Sequence, residues 1–280
     1  MKKPQFLIIL SGLLLFSVLY FFTPRFAPKA NTPSTQSAEN QTVSTESILN
    51  TAKLALTESQ KISLLSIENQ LNKAKNQADS LKSYRAMTQF WADSAQKLAP
   101  YLYFTYRAAL LENSEKSLTF AAQLLVDNLL TPDAPPALQP WIAGNAKVLL
   151  EKALVINPKN DSAKINLGAC YLFGNLSDNP MQGITKIKEV VDTDSTNSYG
   201  QLILALGGKK SGQYDKAIER FLTVLKIKPN HIEAMIHLAE CYELTNQKEK
   251  AIEWYTKVSN SVNIPEAKEA ISKRIQELKK

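Results

Sequence analysis

The stretch from Gly212 to Pro229, GQYDKAIERFLTVLKIKP, decides how the rest of the chain is read. Ala217 and Phe221 form an Ala-x3-aromatic pair on what should be a helix, and Pro229 stops that helix. Gln247 to Tyr255 repeats the pattern more weakly. Ala217 and Ala251 are 34 residues apart, as are Ile218 and Ile252, Phe221 and Tyr255, and Leu204 and Leu238. A fixed period of that length marks stacked helical hairpins rather than one closed core.

Working outward, a hairpin starts near Asp161, with Leu167-Gly168-x2-Tyr171 on its first helix and Gly183 where alanine would be expected on its second. Its turn, Phe173 to Gly183, is three residues longer than the others need. A second hairpin starts near Ser198 and carries Leu204, Ala205, Tyr214, Ala217, Phe221 and Pro229. A third starts near Ile232 and carries Met235, Leu238, Ala239, Tyr242, Ala251 and Tyr255. Small residues (Gly168, Ala205, Ala217, Ala239, Ala251) belong where two helices cross closest, and the aromatics fill the space between neighbouring units.

This pattern resembles the tetratricopeptide repeat, well over Asp161 to Asn263 and weakly over Tyr84 to Pro158. The resemblance implies an all-α fold, a right-handed superhelical solenoid, and a protein-binding scaffold rather than an enzyme. The expected organisation is a transmembrane anchor (1–23), a disordered linker (24–47), one long amphipathic helix (48–83), degenerate hairpins (84–160), three repeats (161–264) and a capping helix (265–280). Pro265 opens that last helix, whose Ala267, Ala270, Ile271, Ile275 and Leu278 share one face.

Composition sets the outer bounds. At 44% hydrophobic and 21% charged residues, most of the 280-residue chain should fold. The net charge of +7 is spread out, without the basic stripe and interleaved aromatics that nucleic-acid binding would need, so no nucleic-acid partner is expected. The two cysteines, Cys170 and Cys241, occupy equivalent positions in different repeats. Stacking would hold them apart, beyond the disulfide reach of about 7 Å.

Phe6 to Phe22 is an apolar run broken only by Ser11, Gly12 and Ser17. As a helix it would be about 25 Å long, near a bilayer core of about 30 Å. The expectation is a single-pass membrane anchor with a cytoplasmic N-terminus and a periplasmic body; secretion after signal cleavage is the competing reading. The Thr23 to Ser47 stretch, with Pro24, Pro28 and Pro33 among polar residues, reads as a disordered tether. Beyond it, Leu64, Ile67, Leu71, Ala74, Ala78 and Leu81 follow alternating steps of three and four, a seam that could pack on the first repeat or join two copies.

Catalytic and cofactor motifs are missing. The two histidines, His231 and His237, are six residues apart and read as structural or solvated. A zinc site would require Cys170 and Cys241 to converge, which the repeat register forbids. Gly207 to Gly212 looks superficially like a phosphate loop but has no serine or threonine directly after Lys209 and no preceding strand. Hence no catalytic residues, no metal and no cofactor are expected.

The resemblance also implies a concave groove lined by the first helix of each repeat. Mapped onto this chain, its residues are Ile165, Ala169, Leu172, Phe173, Tyr199, Leu202, Leu206, Lys209, Lys210, Glu233, Ile236, Glu240 and Glu243. Chaperone-binding relatives place lysine and asparagine where Ile165 and Ala169 stand, which disfavours that specificity. A partly apolar peptide or amphipathic helix with some positive charge would suit the groove, unless the chain's own N-terminal part fills it. The Phe173–Gly183 turn is a second candidate surface. In architecture the chain resembles bacterial envelope proteins that pair an N-terminal anchor with a repeat domain. The expected function is a membrane-anchored interaction scaffold; the alternatives are a structural oligomeriser through 64–81 and an accessory subunit of an envelope enzyme.

Overall fold

The computed structural model describes residues 43–131, 134–176 and 180–280, and every regular element among them is helical. After two short lead-in residues, α1 runs Thr45–Leu54, α2 Glu58–Asn72 and α3 Gln77–Gln89. A π-helical turn, Phe90–Ser94, extends α3 before α4 begins at Leu98 and runs to Glu112. Then come α5 (Glu115–Leu130), a 3-10 turn at Pro136–Leu138, α6 (Gln139–Ile156), α7 (Asp161–Phe173) and α8 (Met181–Val191). The C-terminal part contains α9 (Ser198–Lys210), α10 (Tyr214–Ile227), α11 (Ile232–Leu244), α12 (Lys248–Ser261) and α13 (Pro265–Leu278).

From α5 onward the helices pair as hairpins, α5 with α6, α7 with α8, α9 with α10 and α11 with α12. The first helices of successive hairpins also touch one another, α5 to α7, α7 to α9 and α9 to α11. The chain repeats its stop and start signals in step with this stacking. Asn160, Asn197 and His231 cap α7, α9 and α11, each side chain accepting from the backbone N–H three residues on. Left-handed residues, Asn175, Gly212 and Asn246, follow the same three helices. Asparagine and glycine are the residues that adopt this conformation most cheaply, which is why Gly212 sits at φ 75°.

Packing follows the small-residue pattern. A Cβ on Gly168 would lie 2.4 Å from Ile187 Cγ1 and 2.7 Å from the Gly183 carbonyl oxygen. One on Gly183 would lie 2.5 Å from the Gly168 carbonyl oxygen, so α7 and α8 approach as closely as their backbones allow. In the next two hairpins the corresponding pairs are Ala205 with Ala217 and Ala239 with Ala251, all fully buried. Leu167, Leu204, Leu238, Phe221, Tyr242 and Tyr255 are also buried, and Tyr171 and Tyr214 are half-buried at the helix margins. Cys170 and Cys241 are free and buried, their thiols pushed up by burial to about 12 and about 11.

The apolar interior is divided. One cluster runs from Ile48 and Leu102 through α5, α6 and α7 to Leu204. A second runs from Leu202 through α10, α11 and α12 to Leu278. Helix α9 therefore contributes one face to each. A third, smaller cluster joins Ala52, Leu56, Leu64, Met87, Phe90, Trp91 and Phe104.

Several expectations are corrected. The stretch read as one long amphipathic helix over 48–83 is three helices. Thr57 and Gln60 cap each other's backbone N–H groups at the start of α2, and Asn76 accepts from Asp79 N at 2.8 Å at the start of α3. The second of these breaks splits the 64–81 seam after Leu71, and Leu64 is buried in one cluster with Met87 and Trp91, so no continuous coiled-coil stripe remains. Residues 45–47 of the tether are helical, anchored by Trp141 Nε1 donating to Thr45 Oγ1 at 2.9 Å; residues 24–42 of it lie outside the described residues. Pro100 sits in the first turn of α4, where a missing N–H costs nothing. The anchor expected over 1–23 lies outside the described residues. The single-pass localisation is corrected: among the described residues no helix is long and apolar enough to cross a membrane.

Candidate functional site

Four stacked first helices enclose a concave cleft of about 1000 Å³. Helix α9 forms its floor through Tyr199, Leu202, Ile203, Leu206, Lys209 and Lys210, which recur at the three- and four-residue steps of one helix face. Asp127, Leu129 and Leu130 of α5 and Phe173 of α7 make one wall. The other wall is α11, with Ile232, Glu233, Ile236, His237, Glu240 and Leu244, and Tyr214 of α10 closes a corner.

Polar side chains tie the helices together beneath this surface. Asn166, fully buried on α7, donates from Nδ2 to Gln123 Oε1 at 2.6 Å and accepts at Oδ1 from the Tyr199 hydroxyl at 2.6 Å. Gln123 Nε2 in turn donates to Asp127 Oδ1 at 2.7 Å and reaches the Tyr199 oxygen at 3.2 Å. Three consecutive first helices are thereby pinned in register. Burial, reinforced by the negative charges of Asp127 and Glu233, pushes the Tyr199 hydroxyl up to about 12, so it remains a donor.

At the far end of α9 the charges gather around one carboxylate. Glu240 Oε2 accepts from Lys209 Nζ and lies 2.7 Å from His237 Nδ1, which is itself 3.0 Å from Lys209 Nζ. The His237 nitrogen can either accept from the lysine or donate to the carboxylate, one role for each tautomer. Burial alone would raise the Glu240 carboxyl; hydrogen bonds from His237 and Lys209 outweigh it and hold the group at about 2. The His237 ring also packs against Phe221, with centroids 5.8 Å apart. Lys210, one residue on, donates to the Leu172 carbonyl at 3.1 Å and lies 5.3 Å over the Phe173 ring.

Of the residues expected in the groove, Phe173, Tyr199, Leu202, Leu206, Lys209, Lys210, Glu233, Ile236 and Glu240 line this one cleft. Ile165 and Ala169 do not: both are buried in the first apolar cluster, because α5 and α9 pack on either side of α7 and cover them. Leu172 is half-buried against Gly207 and Gly183 and presents its carbonyl, not its side chain, to Lys210. Glu243 is turned to the C-terminal helix, where Arg274 pairs with it and the Tyr255 hydroxyl reaches it at 3.3 Å. Glu240 and Glu243 therefore do not act as a pair.

His237 lines the cleft while it pairs with Glu240 and packs on Phe221, and Asp127, Leu129, Leu130 and Thr131 enter the cleft from a hairpin whose repeat pattern is weak in the sequence. The spacing could have found His237, which is four residues from Glu233 on the stripe that carries Ile236 and Glu240. His231, by contrast, serves as a helix cap. Among the described residues of the Phe173–Gly183 turn, Phe173 alone lines the cleft; residues 177–179 lie outside the described residues.

A family profile described as "Regulator of microtubule dynamics protein 1-3" matches residues 202–280, the C-terminal part of the chain. No curated protein matches it. Among solved structures, a crystal structure of MamA is similar at 19% identity, covering 57% of this chain and 88% of MamA with a TM-score of 0.43. MamA from Desulfovibrio magneticus RS-1 is similar at 19% identity, covering 65% of this chain and 95% of that one, TM-score 0.43. YrrB, a TPR protein with an unusual peptide-binding site, is similar at 17% identity, covering 74% of this chain and 97% of its own, TM-score 0.42.

Proposed function

We propose that this chain is a helical-repeat scaffold whose cleft receives a peptide segment of another protein. The observation that carries this reading is the cleft itself: about 1000 Å³, concave, floored by Leu202, Leu206 and Ile236 and edged by charged groups. Pockets of this kind, apolar with a few convergent polar groups, are the usual setting for a bound ligand, and a groove between helices suits an extended or helical peptide. The polar pins from Gln123 to Tyr199 hold one wall to the floor before any ligand arrives, which lowers the ordering cost of binding.

A photoreactive residue in place of Leu206, in the full chain in cells, tests the reading. The control carries the same residue in place of Lys228, which is exposed at the end of α10. A discrete adduct to a second protein from position 206, lost when Ile236→Asp is added and absent from position 228, is the expected result. An adduct within the same chain, or equal labelling from both positions, overturns it.

A further inference from the structure

The proposal below rests on the peptide-binding reading and adds the chemistry of the peptide. The cleft's charges are not alike along its length. Lys209, Glu240 and His237 satisfy one another, so none of the three is left for a ligand without being exchanged. Two carboxylates and one ammonium remain. Asp127 and Glu233, from opposite walls, face the Tyr199 end of the cleft, and neither takes part in an ion pair among the described residues. Both charges help the Tyr199 hydroxyl, buried between the helices, to retain its proton.

At the other end stands Lys210. Its ammonium has only the Leu172 carbonyl and the face of Phe173 for company, and no carboxylate among the described residues. Partial burial lowers its pKa, while the residue as a whole stays exposed. Tyr199 and Lys210 are eleven residues apart on one straight helix, which separates the two ends by about 16 Å at 1.5 Å per residue. Between them the floor is apolar, through Leu202, Leu206 and Ile236.

We propose that the cleft reads a peptide by polarity: a basic side chain between Asp127 and Glu233, apolar side chains over Leu202, Leu206 and Ile236, and a carboxylate at Lys210. In a helical peptide the two charged residues stand about eleven positions apart; in an extended one, at about 3.3 Å per residue, about five. Opposite polarity would set like charges against like at both ends, so orientation and partner choice come from the same three residues.

The test uses the full chain and synthetic fluorescent peptides read by anisotropy. One helical set carries Arg and Glu eleven positions apart with leucines between; one extended set has them five apart. Each set has a version with Glu at both charged positions and a neutral Gln version. The expected result is that one spacing binds, its Arg and Glu peptide about tenfold more tightly than the version with two Glu. The preference should invert in the double variant Asp127→Lys, Glu233→Lys. Unchanged binding of the neutral peptide by that variant shows that the fold is kept. Equal affinity for all three versions overturns the polarity and leaves the groove reading standing; no binding of any peptide to the parent chain overturns both.

Discussion

The Tyr199 hydroxyl donates to the buried side-chain Oδ1 of Asn166 at 2.6 Å, joining two first helices beneath the cleft. Asn166 has no exposed surface, so the bond has no water to replace it. Tyr199→Phe should therefore cost about 1–2 kcal/mol, more than an average hydrogen bond, because it leaves a buried acceptor unpaired. Chemical denaturation of the parent and variant checks this. A change below a few tenths of a kcal/mol would mean that the network is not holding the helices in register.

The glycines separate by surroundings. Gly168→Ala must push into Ile187 and the Gly183 carbonyl and should destabilise by roughly 1–3 kcal/mol. Gly144, inside α6, has nothing within 4 Å of a would-be Cβ, so Gly144→Ala should stabilise by about 0.5–1 kcal/mol. Melting temperatures moving in opposite directions are the expected readout; a loss at both positions would contradict the packing described for α6.

Glu240 makes stability depend on acid. Its folded carboxyl lies at about 2, against an ordinary 4.5, so its contribution is complete above 4.5 and is lost as pH falls toward 2. The Glu240 side chain is 35% exposed, and solvent screening limits the effect to about 1 kcal/mol. The gap in urea midpoint between the parent and Glu240→Gln should be widest near pH 6 and should narrow steadily on acidification. A gap independent of pH would show that the carboxylate's charge is not what matters there.

Phe221 is fully enclosed in the second apolar cluster. Phe221→Ala should cost about 3–5 kcal/mol. Because a stacked-repeat protein is stabilised by neighbouring interfaces, the loss should appear first as faster amide exchange in α10, α11 and α12, with α5 and α6 little changed. Uniform acceleration along the chain would instead mean that the two clusters unfold as one.

What could be read in the sequence depended on whether a residue's role was set by its own repeat or by a distant one. The crossing glycines and alanines, the stacked aromatics and the Pro229 stop are local to each hairpin, and their spacing announces them. The first-helix stripe over 199–210 and 233–240 is likewise periodic. Ile165 and Ala169 occupy equivalent positions on α7, yet they are covered by α5, whose own pattern is too degenerate to reveal that it packs there. Glu243 is claimed by Arg274, thirty-one residues later, a pairing that no local spacing encodes. The breaks in 48–83 are written in Thr57-x2-Gln60 and Asn76-x2-Asp79, two cap signals that fall inside a stretch of regular apolar steps.

Helix α9 gives Leu204 to one apolar cluster and Leu202 and Ala205 to the other, while its exposed side floors the cleft. The cleft therefore follows the border between the two clusters, with Leu129 and Ile203 drawn from one and Leu202 and Ile236 from the other.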